Sequence, residues 1–147
     1  MTKFKKAART VAAMLVLGAA MVHAQEPTLE PQVIDLAALR DADIGPVIPN
    51  AGTLRSKTFV STPEGAVSVQ VGDAPRHSHQ SSIEIQYVVS GSGTFWVGDS
   101  PRQVHAGDLI IIPKGTAHGG SHANSGELKM LVIKLPPQVK GDVQLLP

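Results

Sequence analysis

The chain contains no cysteine. That excludes disulfides, thiolate metal ligands, thiol redox chemistry and a cysteine nucleophile, so any metal it binds is held by nitrogen and oxygen. Aromatic residues are scarce, with one Trp, one Tyr and three Phe, which argues against a broad stacking platform for fused rings. No basic patch carries interleaved aromatics, so nucleic acid is not an expected partner. Long apolar runs are also missing, apart from Val11 to Val22 near the start. A spanning helix needs about 20 apolar residues, and this run falls short.

The beginning of the chain has its own pattern. Lys3, Lys5, Lys6 and Arg9 precede the apolar run, and Val22-His-Ala24 follows it with small residues. This is the pattern of a secretory signal. The expected mature protein starts at Gln25, in the periplasm or outside the cell, with no stable membrane anchor. The full chain has 13 basic and 12 acidic residues. Losing the four basic residues of the signal leaves a mildly acidic protein of 123 residues, near −3. That length supports one domain with one core. A small molecule or another protein suits such a surface.

Residues 25–52 are rich in proline and acidic side chains and read as an arm over the domain. Within it "VIDLAALRD" can form one or two helical turns before Gly45-Pro46 stops them. From residue 53 to 135 the pattern changes to short runs rich in β-branched residues: "LRSKTFV", "AVSVQV", "IEIQYVV", "TFWV", "DLIII" and "LKMLVIKL". Turn residues such as Gly72-Asp-Ala-Pro75, Ser90-Gly-Ser-Gly93 and Gly98-Asp-Ser-Pro101 lie between them. Regular short strands with turn signals predict an all-β sandwich or barrel. The "DLIII" run suits a strand buried on both faces, and Trp96 is expected to pack in the core. Residues 136–147 follow Pro136-Pro137 and read as a tail.

Two of the six histidines stand in "RHSHQSSIE", from Arg76 to Glu84. In an extended segment residues two apart face the same side, so His77 and His79 point together. Glu84 is an odd number of residues beyond His79, and one straight strand would turn it away. Gln80-Ser-Ser82 can turn the chain and let Glu84 face back from the next strand. Gln86 and Val88 would then share its inner face, leaving Ile85, Tyr87 and Val89 as an apolar outer face. Such a face calls for cover by the arm, a second subunit or another sheet. Downstream, "GDLIIIPKGTAH" ends a strand at Pro113, turns at Lys114-Gly115 and delivers His118.

These segments together resemble the two motifs of the cupin family. The first stands as Gly72-x4-His77-x-His79-x4-Glu84-x6-Gly91, the second as Gly107-x5-Pro113-x-Gly115-x2-His118, with 15 residues between them. The first Gly lies one residue closer to the histidines than is usual, and His122 stands where the second motif commonly ends in Asn. The resemblance implies a double-stranded β-helix, the jelly-roll barrel, over about residues 53–135. It implies His77, His79, Glu84 and His118 as ligands of one divalent transition metal ion, among Fe, Mn, Cu, Ni, Co and Zn. Three imidazoles and a carboxylate suit those ions, whereas calcium would want more oxygen. Four protein ligands in an octahedral shell leave two positions for a chelating substrate. The expected activity is oxidative cleavage of an enediol or phenol. Isomerase or lyase chemistry and metal-anchored binding of a ligand such as a sugar acid are the alternatives. Gln86 and His122 are candidates for catalytic roles beside the metal, and a homodimer is the expected assembly.

Overall fold

The structure is a computed structural model that describes residues 29–147. The expected signal over 1–24 and its cleavage point lie outside the described residues. The chain runs through α1 (Asp41–Ile44), β1 (Arg55–Ser61), β2 (Ala66–Val71), β3 (His77–His79), β4 (Ile83–Val97), β5 (Ser100–His105), β6 (Leu109–Ile112), β7 (His118–Leu135) and β8 (Val143–Leu145). Every paired ladder is antiparallel.

The long strands β4 and β7 pair from Ile83↔Leu135 to Val97↔His118 and form the spine. Their ribbon is flanked differently at its two ends. The first half of β4 takes β6 as its outer neighbour, and the second half of β7 takes β2 and then β1. The second half of β4 takes β5, and the start of β7 takes β3 and then β8. One curled sheet thus makes two facing halves, the jelly-roll barrel that the strand pattern predicts. Alternate residues point between the halves. Val88, Phe95, Val104, Ile110, Ile112, Leu128, Met130 and Val132 form the buried core there.

The sequence pattern places two strands where the structure has one. "IEIQYVV" and "TFWV" are both parts of β4, and Ser90-Gly-Ser-Gly93 runs through it as a bulged stretch against β7. The glycines serve close approach rather than a turn. A Cβ on Gly93 would collide with the His122 carbonyl, and one on Gly91 would collide with that of Glu127. Gly91 also has a φ of 86°, which glycine adopts freely.

Two burial expectations need correction. β6 is not buried on both faces: Ile110 and Ile112 point inward, while Leu109 and Ile111 are 60% and 62% exposed. Among the described residues nothing covers the outer side of β6. Trp96 is outside the core clusters. Phe95 takes the inward position, its neighbour therefore points the other way, and Trp96 carries the Arg76 guanidinium 4.8 Å from its ring centroid.

The arm lies over the outer face of β1 and β2. Ile44 packs with Val69 and Val71, and Leu36, Leu39 and Phe59 close around them. Cations from the sheet bind its carbonyls: Lys129 reaches Leu39 at 2.6 Å, Arg55 reaches Gly45 at 2.7 Å and Lys57 reaches Asp43 at 2.9 Å. The helical turn comes later than "VIDLAALRD" suggests. Asp35 Oδ1 accepts from the Ala37 and Ala38 amides in a turn, and α1 follows at residue 41. This cover stops short of β4 and β6. Ile83, Tyr87, Leu109, Ile111 and Leu135 stay exposed, and cross-strand pairing sets Tyr87 beside Leu109 and Ile83 beside Leu135.

Candidate metal centre

β3 is only three residues long, yet it fixes two of the four side chains. His77 pairs with His118 at the start of β7, which sets their ring centroids 4.3 Å apart. His79 shares the face of His77, with its centroid 5.4 Å from that of His118. The turn at Gln80–Ser82 sends the chain back, so Glu84 on β4 faces the same space. One ligand atom from each of His77, His79, Glu84 and His118 lies within 4.8 Å of all the others. The Gly115 amide donates to the His79 carbonyl at 2.6 Å and ties the second motif's turn to the first motif's strand.

Each imidazole has its Nδ1 against an acceptor. His77 Nδ1 lies 2.8 Å from the Pro75 carbonyl, His118 Nδ1 lies 2.9 Å from that of Thr116, and His79 Nδ1 lies 2.8 Å from Asp142 Oδ2. A carbonyl can only accept, so Nδ1 is the protonated nitrogen and Nε2 of the neutral ring keeps its lone pair. The Nε2 atoms of His79 and His118 and Oε2 of Glu84 are buried and have no hydrogen-bond partner. Glu84 Oε2 nevertheless stands 2.9 Å from His79 Nε2 and 3.7 Å from His118 Nε2. Lone pairs facing one another at that distance in a buried site repel unless a cation lies among them. The donor set therefore fits a transition metal ion, with outer hydrogen bonds orienting each ring.

Burial raises the Glu84 carboxyl, but a proton carried toward it by His118 or His79 in the metal-free site, together with the Lys134 ammonium, outweighs that and holds it well below the usual carboxylate range. Burial, then the neighbouring His118, lowers His77 to about 4. Both groups are thus kept in the forms that bind metal.

Gln86 is buried beside the cluster. Its Nε2 donates to Glu84 Oε1, and its Oε1 has no partner. Gln86 and His77 line a cavity of about 20 Å³ together with Gln70, Phe95, Ser121 and Met130. His122 is not brought to the centre. Its side chain is 80% exposed, with Nδ1 3.7 Å from Asp73.

Two charged residues at the site have no counterpart in the sequence expectations. Lys134 is 13% exposed and places Nζ 3.4 Å from Glu84 Oε2. The alternation of β7 signals it: Lys134 shares the inner face of Leu128, Met130 and Val132. Asp142 comes from the segment read as a tail, and nothing local marks it.

Fold and site define a β-barrel with a four-residue His/Glu metal-type centre. Residues 65–134 match the family model described as a cupin domain, and the chain belongs to the cupin family. An uncharacterised protein of Streptomyces coelicolor is 31% identical over 74 residues, covering 50% of this chain and 70% of that protein. An uncharacterised protein of Methanocaldococcus jannaschii is 33% identical over 70 residues. That alignment covers 48% of this chain and 56% of the relative, so the chain spans only about half of that protein's length. Among solved structures, a double-stranded β-helix protein of Klebsiella pneumoniae aligns with a TM-score of 0.62 at 18% identity, covering 80% of this chain and 99% of that one. Pac13 of Streptomyces, a nucleoside dehydratase that has been seen with uridine, aligns at 0.55 and 22% identity, covering 66% of this chain. KdgF from a Halomonas species aligns at 0.55 and 22%, covering 64% of this chain and 87% of that one. At such identities the likeness concerns the fold.

Proposed function

We propose that this chain is an exported, metal-dependent enzyme acting on a small organic molecule that chelates the metal through two oxygens. The observation that carries the reading is the convergence of buried, partnerless Nε2 and Oε2 atoms beside a cavity that His77 and Gln86 line. A divalent transition ion held by His77, His79, Glu84 and His118 supplies polarisation of a bound oxygen or a lowered pKa for a bound water. The chain's own residues do the rest. Gln86 holds Glu84 through Nε2, and its Oε1 is available to accept a hydrogen bond from a ligand hydroxyl. The apolar wall of Phe95 and Met130 keeps bulk water out, which strengthens each polar contact inside. The amide and hydroxyl groups of the cavity lining suit the polar atoms of a ligand.

Oxidative cleavage of an enediol or phenol is the first reaction to assay. Dehydration or isomerisation is the second reading, supported by the presence of a nucleoside dehydratase among the structural neighbours. A binder without turnover would use the same contacts. The test begins with the mature protein purified from its exported compartment without chelator or His-tag. About one Fe, Mn, Cu or Ni per chain, with dioxygen consumed in the presence of an enediol, supports the oxidative reading. Turnover without dioxygen uptake moves the assignment to lyase or isomerase chemistry. No metal after reconstitution overturns the ligand assignment. The reading includes a homodimer formed through the apolar outer face of β4 and β6, and export directed by residues 1–24.

A further inference from the structure

We propose that Asp142 is a positioning residue for His79, and that through it metal binding latches the C-terminal strand onto the barrel. The inference rests on the metal reading above but concerns residues beyond the segment that matches the family.

Asp142 lies past residue 134, where the cupin match ends, and its side chain is fully buried. Both oxygens are engaged. Oδ2 accepts from His79 Nδ1 at 2.8 Å and from Ser82 Oγ at 3.3 Å. Oδ1 accepts from the Ser81 amide at 2.7 Å and from the Ser81 hydroxyl. His79 is treated differently from the other two imidazoles. His77 and His118 are oriented by carbonyls two residues away on their own segments. His79 is oriented by a full charge brought from 63 residues along the chain. A carboxylate on the outer nitrogen fixes the ring's tautomer and raises its strength as a ligand.

The same contact holds the tail. Among the described residues β8 pairs with β3 alone, through His77↔Leu145, Ser78↔Gln144 and His79↔Val143. The Gln80 amide donates to the Asp142 carbonyl at 3.0 Å, and the Leu146 amide to that of Arg76 at 2.9 Å. Leu145 is 62% exposed, while Val143 and Leu146 are half-buried. The buried polar knot at Asp142 therefore joins the short backbone ladder in docking this strand. A tail that orients His79 when docked must bind more firmly when His79 carries a metal, because coupling between two sites is reciprocal.

The test uses the full chain and Co²⁺ as the probe. Co²⁺ affinity and its visible absorption bands are measured for the wild type, Asp142→Asn and Asp142→Glu, with Ile44→Ala as a variant destabilised far from the site. Limited trypsin cleavage after Lys140, an exposed residue two before Asp142, is timed with and without Co²⁺. Asp142→Asn is expected to weaken Co²⁺ about 10- to 100-fold and shift the bands, with Asp142→Glu recovering part of the affinity and Ile44→Ala leaving it unchanged. Co²⁺ is expected to slow cleavage at Lys140 in the wild type and to lose that effect in Asp142→Asn. Wild type and Asp142→Asn binding Co²⁺ alike, or cleavage indifferent to Co²⁺ in a wild type that binds it, would overturn the inference and leave the metal reading intact. A wild type that takes up no Co²⁺ overturns both. Should Asp142→Asn fail to fold, the wild-type cleavage comparison decides alone.

Discussion

At the residue scale the site is a set of acceptors held together by hydrogen bonds pointing away from its centre. On the proposed metal reading, replacing His118 or Glu84 removes a ligand and leaves the others facing one another. His118→Ala and Glu84→Gln are expected to drop bound metal from about one ion per chain to below about a tenth, read by elemental mass spectrometry, since second-shell changes alone cost 10- to 100-fold in affinity. Gln86→Leu removes both a hydrogen bond to Glu84 and a polar group from the cavity lining, so it should weaken metal binding less than His118→Ala does and still lose turnover or ligand binding when metal is supplied at saturation. The metal-free protein should also lose stability with acid in a defined window. His77 binds its proton near 6.5 when unfolded and near 4 when folded. Between those values the unfolded chain holds more protons, so stability rises with pH there and falls as pH drops from about 6.5 toward 4. His118, His79 and Glu84 are the titratable groups around it, and the first two add to the effect while Glu84 opposes it. The half-buried ring is expected to contribute on the order of 2 kcal/mol after solvent screening. Urea midpoints of chelated protein between pH 4 and 7 would check this, and His77→Asn should flatten that part of the curve.

At the element scale, legibility in the sequence tracked distance along the chain. The period of two placed His77 with His79, and put Gln86 and Val88 on the face of Glu84, because those relations are local. Glu84 itself needed a turn at Gln80–Ser82 that polarity suggested but periodicity could not fix. Ser90-Gly-Ser-Gly93 misled for a physical reason. Glycine permits a turn and permits two backbones to touch, and only the partner strand β7 decides which. A Gly93→Ala variant makes the difference measurable. A turn would tolerate the methyl group, whereas the packed ribbon should lose about 1–3 kcal/mol in denaturant unfolding, since the neighbour is backbone and cannot swing aside. Asp142 was illegible on the same argument taken further. No pattern in "VKGDVQ" announces a partner in β3, and its burial follows from tertiary packing alone. Lys134 was legible in principle, since a lysine on the inner face of an alternating strand needs a buried counter-charge, here Glu84.

At the scale of the whole molecule the outer face is divided. The arm covers β1 and β2 through Ile44, Leu36 and Leu39, and its carbonyls take up Lys129, Arg55 and Lys57. The neighbouring part, from Ile83 and Tyr87 to Leu109, Ile111 and Leu135, has no such cover within residues 31–147. The pairings Ile85↔Ile111 and Ile85↔Ile133 make it continuous across three strands. A continuous apolar face of that kind is stable in water when something buries it, and a second copy presenting the same strands would do so symmetrically. Charges placed there should therefore divide the assembly without touching the metal centre, because Tyr87 and Ile111 point away from Glu84 and Gln86. Tyr87→Glu combined with Ile111→Glu is expected to give a monomer by light scattering, with metal content per chain unchanged. A wild type that is already monomeric at high concentration would sink the homodimer, and the face would then need another occupant. A variant that becomes monomeric and also loses its metal would show that the ligand strands depend on the partner for their position. That would tie the site to the assembly through β4, which carries Glu84 on one face and Tyr87 on the other.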